Sequence, residues 1–145
     1  MTTLTDLSAG PLDPEGALTP VHLEVREVMT PGVVTIVEDS SVLQARRALR
    51  AHRVHAVLVV GARSGRPLGW ITARGLLSWV DADETLAPAR AAIREPAVPI
   101  DPSAPVRDAV SRMLGSSVSH LIVQRTGSLP EGTLSEVDVL ALGRP

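Results

Sequence analysis

From residue 33 onward the apolar positions follow two rhythms in turn, and the whole succession occurs twice. Val33–Val37 is a β-branched run of strand character. Asp39 or Ser40 then caps a helix whose apolar positions Val42, Ala45 and Leu49 recur at spacings of three and four. Ala56–Val60 reads as a buried strand, Gly61, Gly65 and Pro67 as a turn, and Leu68–Ile71 as a third strand. Thr72 caps a second helix running to about Val80.

The second half repeats the plan. Ala97–Ile100 is a strand, and Ser103 caps a helix with Val106, Ala109, Val110, Met113 and Leu114 on its inner face. Pro105 falls in that helix's first turn, where it is tolerated. Ser119–Gln124 and Gly132–Leu134 are strands around a turn at Gly127, and Ser135 caps a last helix that stops at Gly143. An offset of 64 pairs Val34 with Val98, Ile36 with Ile100, Val42 with Val106, Ala45 with Ala109, Val54 with Val118 and Val59 with Val123. After one deletion the offset is 63 and pairs Gly69 with Gly132, Thr72 with Ser135 and Leu77 with Leu140. A fixed offset with a single slip marks an internal repeat. The expected organisation is a flexible tail over 1–22, a first unit over 23–80, a linker with a short helix over 81–96, and a second unit over 97–143.

Composition removes several chemistries. The chain of 145 residues has 14 basic residues, every one an arginine, and no cysteine. Without Lys there is no P-loop and no Schiff base; without Cys there is no disulfide, thiol nucleophile or Cys-based zinc site. The formal charge of −2 argues against bulk binding to nucleic acid or membrane. No basic stretch followed by an apolar run marks a signal peptide, so a cytoplasmic protein is expected. The Arg-only basic set points to a high-GC bacterial genome. No ordered Ser-His-Asp set, metal shell or paired acids emerges, so the chain is read as not an enzyme.

Val28-Met29-Thr30-Pro31, Val34-Thr35-Ile36, and the paired endings Gly69-Trp70-Ile71-Thr72 and Gly132-Thr133-Leu134-Ser135 resemble those of a tandem pair of CBS (cystathionine-β-synthase) domains, a Bateman module, over roughly Val25 to Leu142. The resemblance implies an α/β fold of two pseudosymmetric units, each a small three-stranded sheet packed with two helices, paired into a flat homodimer. It implies a regulatory module that senses an adenosine compound (AMP, ADP, ATP or S-adenosylmethionine) and signals to a partner protein. No cofactor is required. The alternative is a ligand-free structural or dimerising module.

In that family a Thr/Ser-x-x-Asp turn holds the ligand, the hydroxyl meeting phosphate and the carboxylate the ribose hydroxyls. Ser135-Glu136-Val137-Asp138 fits this pattern; Thr72-Ala73-Arg74-Gly75 lacks the acid. The resemblance therefore places the competent site on Ser135 and Asp138, with Val98, Pro99 and Ile100 flanking the base, His120 and Leu121 near it, and Arg53 reaching a phosphate. Thr35, His55, Thr72 and Gly75 would form a second, degenerate site.

Each assignment has a plain counterpart. Ser-x-x-Asp is also a helix capping box. Val98–Ile100 is also a core strand, and His120 a packed histidine. Arg46, Arg47, Arg50 and Arg53 suit a helix C-terminus whatever their function. His52 and His55 lack partners for a metal shell. Gly61, Gly65 and Gly69 read as a hairpin. Trp79 is either a dimer anchor or a core residue.

Overall fold

The computed structural model describes residues 22–142. The expected tail, apart from His22, and the helix stop at Gly143 lie outside the described residues. The chain forms two compact units: Gly32–Val98 is one, and residues 22–31 with 99–142 are the other.

In the 32–98 unit the strands are β2 (Thr35–Val37), β3 (Ala56–Val60), β4 (Pro67–Thr72) and β5 (Glu95–Pro96), in the order β2-β3-β4-β5. β2 runs parallel to β3, and the other pairs are antiparallel. The parallel pair needs a crossover, which α2 (Val42–His52) supplies. The cap of α2 is Ser41, not Asp39 or Ser40: its hydroxyl accepts from Gln44 N, and the Gln44 side chain accepts from Ser41 N. Val42, Ala45 and Leu49 pack with Val57, Val59 and Ile71 in the core. Leu58 and Trp70 are register partners on the opposite side of the β3–β4 pair and are also buried. Thr72 caps α3 (Ala73–Leu76), which tightens into a 3-10 turn, Leu77–Trp79. Trp79 is half-buried against the core of this unit.

The other unit holds α1 (Val25–Val28), β1 (Thr30–Pro31), β6 (Pro99–Ile100), α4 (Val106–Ser116), β7 (His120–Val123), β8 (Gly132–Ser135) and α5 (Glu136–Leu140), with strand order β1-β8-β7-β6. α4 starts after Pro105 with no side-chain cap. Ser103, expected to cap it, is instead held in the preceding turn, its N–H and hydroxyl both donating to Asp101 Oδ1.

Two features differ from the sequence reading. Each sheet has four strands rather than three, because a two-residue strand joins the edge of each. The lead segments also fall elsewhere. Residues 23–31, read as the start of the first unit, hydrogen-bond into the second; residues 81–96, read as a linker, complete the first. The reason lies in main-chain pairing that recurs at the offset of 64. Val42 N donates to Ala87 O as Val106 N does to Leu23 O. Ala89 N donates to Ser40 O as Val25 N does to Ala104 O. Arg90 N donates to Glu38 O as Arg26 N does to Pro102 O. The repeating Gly69 and Gly132 have the same cause. A Cβ on Gly132 would fall 2.7 Å from Met29 Sδ and from Thr30 O, and one on Gly69 would strike Ile93 and Glu95 O. Only glycine lets the added strand pass so close.

Candidate functional site

The turn between β8 and α5 is built by its own sequence. Ser135, in extended conformation, ends the strand, and its hydroxyl accepts from Asp138 N at 3.1 Å. Asp138 Oδ2 accepts from Ser135 N at 2.9 Å, which closes the capping box. Thr30 Oγ1, brought in by β1, donates to Asp138 Oδ1 at 3.3 Å. The capping reading of Ser-x-x-Asp is therefore realised. An ionised carboxylate has about four acceptor positions, so capping leaves Asp138 with acceptor capacity.

His120 is the cross-strand partner of Ser135, so tertiary structure brings His120, Ser135, Asp138 and Thr30 to one end of the β7–β8 pair. His120 is buried, with Nδ1 2.9 Å from Ser119 Oγ. Leu121 points the other way and is fully buried opposite Leu134, so its side chain belongs to the core. Ile100 is likewise buried. Pro99 is exposed, and its carbonyl accepts from the Arg112 guanidinium at 2.6 Å. Val98 is half-buried and closes the 32–98 unit.

Arg53 also belongs to the 32–98 unit. It is the C-cap of α2, exposed and left-handed at φ 54°. Arg46 is engaged with Glu84 at 3.0 Å, whereas Arg47 and Arg50 are exposed on the same helix. His52 is on α2 and His55 beyond it; among the described residues no group of three or more His, Cys, Asp or Glu is placed to hold a metal.

The corresponding turn of the 32–98 unit keeps the hydroxyl and lacks the acid. Thr72 is buried, and its Oγ1 accepts from Gly75 N at 2.9 Å. Thr35 is exposed on β2, and His55 is exposed with its carbonyl accepting from Ala73 N. A Cβ on Gly75 would fall 3.2 Å from both Cβ and Cγ of Arg94. Arg94 has no counterpart in the other unit. Met29 matches Ile93 at an offset of 64, as their contacts with the paired glycines show, whereas Thr30 matches Glu95 at 65, as their cross-strand partners Thr133 and Trp70 show. Arg94 is the extra residue between, and its N–H donates to Trp70 O at 2.8 Å. Sequence reasoning missed Thr30 and Arg94. The signal available was Thr30-Pro31 against Glu95-Pro96, which falls at an offset of 65 rather than 64.

Two like units, each with a β-α-β crossover and an antiparallel strand that ends on a hydroxyl-capped turn, define a paired CBS-type module. The CBS domain model matches residues 25–82 and again 89–144, and the chain belongs to that family. A curated relative, an uncharacterized 33.4 kDa protein in a ribosomal RNA operon of Thermofilum pendens, is 26% identical over 132 residues, covering 82% of this chain. The chain spans 43% of that relative's length. Among solved structures, a CBS domain protein from Pyrobaculum aerophilum complexed with AMP has a TM-score of 0.71 at 20% identity, covering 82% of this chain and 96% of its own. The CBS domain of a bacterial CNNM/CorC family Mg2+ transporter in complex with ATP has a TM-score of 0.72 at 20% identity, covering 85% and 88%. These two likenesses establish the fold. No helix among the described residues is long and apolar enough to cross a membrane.

Proposed function

We propose that the chain is a regulatory binding module that takes an adenosine compound at the Ser135–Asp138 turn and passes its state to a partner protein. The observation that carries this reading is the convergence of Thr30, His120, Ser135 and Asp138 at one end of the β7–β8 pair, with Asp138 half-buried and still able to accept. Carboxylate oxygens suit the vicinal hydroxyls of a ribose, and the Ser135 hydroxyl suits a phosphate oxygen. The family and the two structures holding AMP and ATP support the ligand class. Within the same unit Pro99, Ile100 and Leu121 are secondary candidates.

On this reading the Thr72–Gly75 turn does not grip a ribose, since Gly75 supplies no carboxylate and Arg94 packs close against its Cβ position. The module pairs with a second copy of itself, because in each unit the helical segment after the capped turn exposes a leucine, Leu77 in one and Leu140 in the other.

The test is a thermal-shift panel with AMP, ADP, ATP, S-adenosylmethionine and an adenine-free control, on wild type and Asp138→Asn. A ligand at 100 times its dissociation constant adds about 2.7 kcal/mol of stability. One adenosine compound should raise the midpoint of the wild type and lose most of that effect in Asp138→Asn. No shift at millimolar concentration would overturn the nucleotide reading in favour of a ligand-free dimerising module.

A further inference from the structure

We propose that the arginines around the Thr72–Gly75 turn make it an anion site for a compact inorganic oligophosphate, taken without a ribose. None of the residues involved belongs to the Ser135–Asp138 turn.

The internal repeat supplies the comparison. Both turns share one backbone plan: Ala73 N donates to His55 O at 2.8 Å, as Glu136 N does to Ser119 O at 2.9 Å. The long helix of each unit ends on a left-handed residue, Arg53 in one and Ser117 in the other. The side chains set on that plan differ in charge. Arg53 stands against Ser117, Arg74 against Val137, and Arg94, packed against Gly75, against no residue. In return, Ala73 and Gly75 stand where the other turn has Glu136 and Asp138. At these positions one turn carries three arginines and no acid, the other two acids and no arginine.

All three arginines are exposed and, among the described residues, none makes an ion pair. The acids of the unit are placed elsewhere. Glu84 is paired with Arg46, about two turns of α2 before Arg53. Asp83 accepts from Thr85 in the same loop, and Asp81 lies beyond the 3-10 turn Leu77–Trp79. Glu38 and Asp39 follow β2 level with Val60, whereas Thr72 pairs with Ala56, about 13 Å back along β3. Glu95, next to Arg94, is half-buried as the cross-strand partner of Trp70 and offsets at most one of the three charges. The second unit builds the same turn without these arginines, so the fold does not require them. Like charges gathered without partners repel one another, and a bound anion removes that cost. Arginine engages phosphate oxygens bidentately, and three of them match the charge of a di- or triphosphate.

Calorimetric titration of the full chain with inorganic triphosphate at about 0.05 M ionic strength is the test. The wild type should bind one triphosphate. Arg53→Asn, Arg74→Gln and Arg94→Gln should each weaken it several-fold, and the triple variant should not bind. Asn is chosen at 53 because it tolerates the left-handed backbone there. All three positions are exposed, so the variants keep the fold, which circular dichroism checks. Asp138→Asn should leave the affinity unchanged, and adenosine, which has the ribose and no phosphate, should not compete. Binding that survives the triple variant, that is lost in Asp138→Asn, or that sulfate at equal ionic strength reproduces would overturn the proposal, as would no binding at millimolar concentration. The nucleotide reading of the Ser135–Asp138 turn fails separately, by the absence of a thermal shift with every adenosine compound.

Discussion

Arg94 packs close against the position that a Cβ at residue 75 would take. Its Cβ and Cγ both lie 3.2 Å from the position of a Cβ on Gly75, and Arg94 is an extra residue of the 32–98 unit, which also has one more residue than its twin in the β3–β4 turn. The missing acid and the extra arginine thus lie side by side. Gly75→Asp alone is expected to lower the thermal midpoint and to leave nucleotide stoichiometry in calorimetry unchanged. In a chain also lacking Arg94 the penalty should shrink and a second binding event should appear. A double-mutant cycle reads this coupling; additive effects would show that the two positions act independently. Charge attraction between the new Asp and Arg94 should contribute little, because Arg94 is exposed.

The Ser135–Asp138 box should contribute to stability whether or not a ligand binds. Ser135→Ala is expected to cost about 1 kcal/mol, the usual worth of an N-cap hydroxyl. Asp138→Ala should cost a similar amount, and the double variant less than the sum, since each bond of the box braces the other. Denaturant unfolding of the four proteins checks this. Strict additivity would mean that the box is not formed in solution.

Close passage of the added edge strand makes glycine obligatory at 132. Gly132→Ala would press a methyl group against Met29 Sδ and Thr30 O. Overpacking of this kind costs about 1–3 kcal/mol, and here one of the obstructing atoms is backbone. Gly115, with nothing within 4 Å of its Cβ position, is the control. Gly115→Ala should stabilise α4 by up to about 1 kcal/mol through helix propensity. Comparable losses at the two positions in thermal unfolding would contradict the β1–β8 pairing.

Both long helices end on a left-handed residue other than glycine, Arg53 at φ 54° and Ser117 at φ 55°. A side chain in this region costs about 1–2 kcal/mol. Ser117→Gly should therefore raise stability by up to about 1 kcal/mol, the greater freedom of glycine in the unfolded chain offsetting part of the gain. A fall in the midpoint would show that Ser117 makes a contact worth more than its strain.

Asp101 titrates below the usual aspartate range. The hydroxyl of Ser103 donates to its carboxylate, the Ser103 N–H adds a second bond, and Arg125 and Arg26 contribute attraction. A carboxyl with a depressed folded-state value stabilises the fold above its unfolded value and loses that contribution as pH falls through the folded one. Carboxyl resonances followed by NMR should show Asp101 titrating below an ordinary aspartate, and Ser103→Ala should move it upward. An unshifted midpoint in the wild type would contradict the turn geometry.

Much of this molecule is written locally. Val42, Ala45 and Leu49 at helical spacing, the run Ala56–Val60, and the paired endings at Thr72 and Ser135 identify two like units, and the structure has them where those signals fall. Periodicity and capping depend on neighbours three or four residues apart, so sequence suffices for them. The edge strands β1 and β5 are two residues long, too short for any period, and their partners lie far along the chain. Only tertiary pairing decided that residues 22–31 join the second unit and 81–98 complete the first. The same holds at the site. Ser135 and Asp138 are legible as a motif, but Thr30 reaches Asp138 from 108 residues away. Gly75 is visible in the sequence as a missing acid; that Arg94 packs close against it is a fact of tertiary structure, which no local spacing encodes.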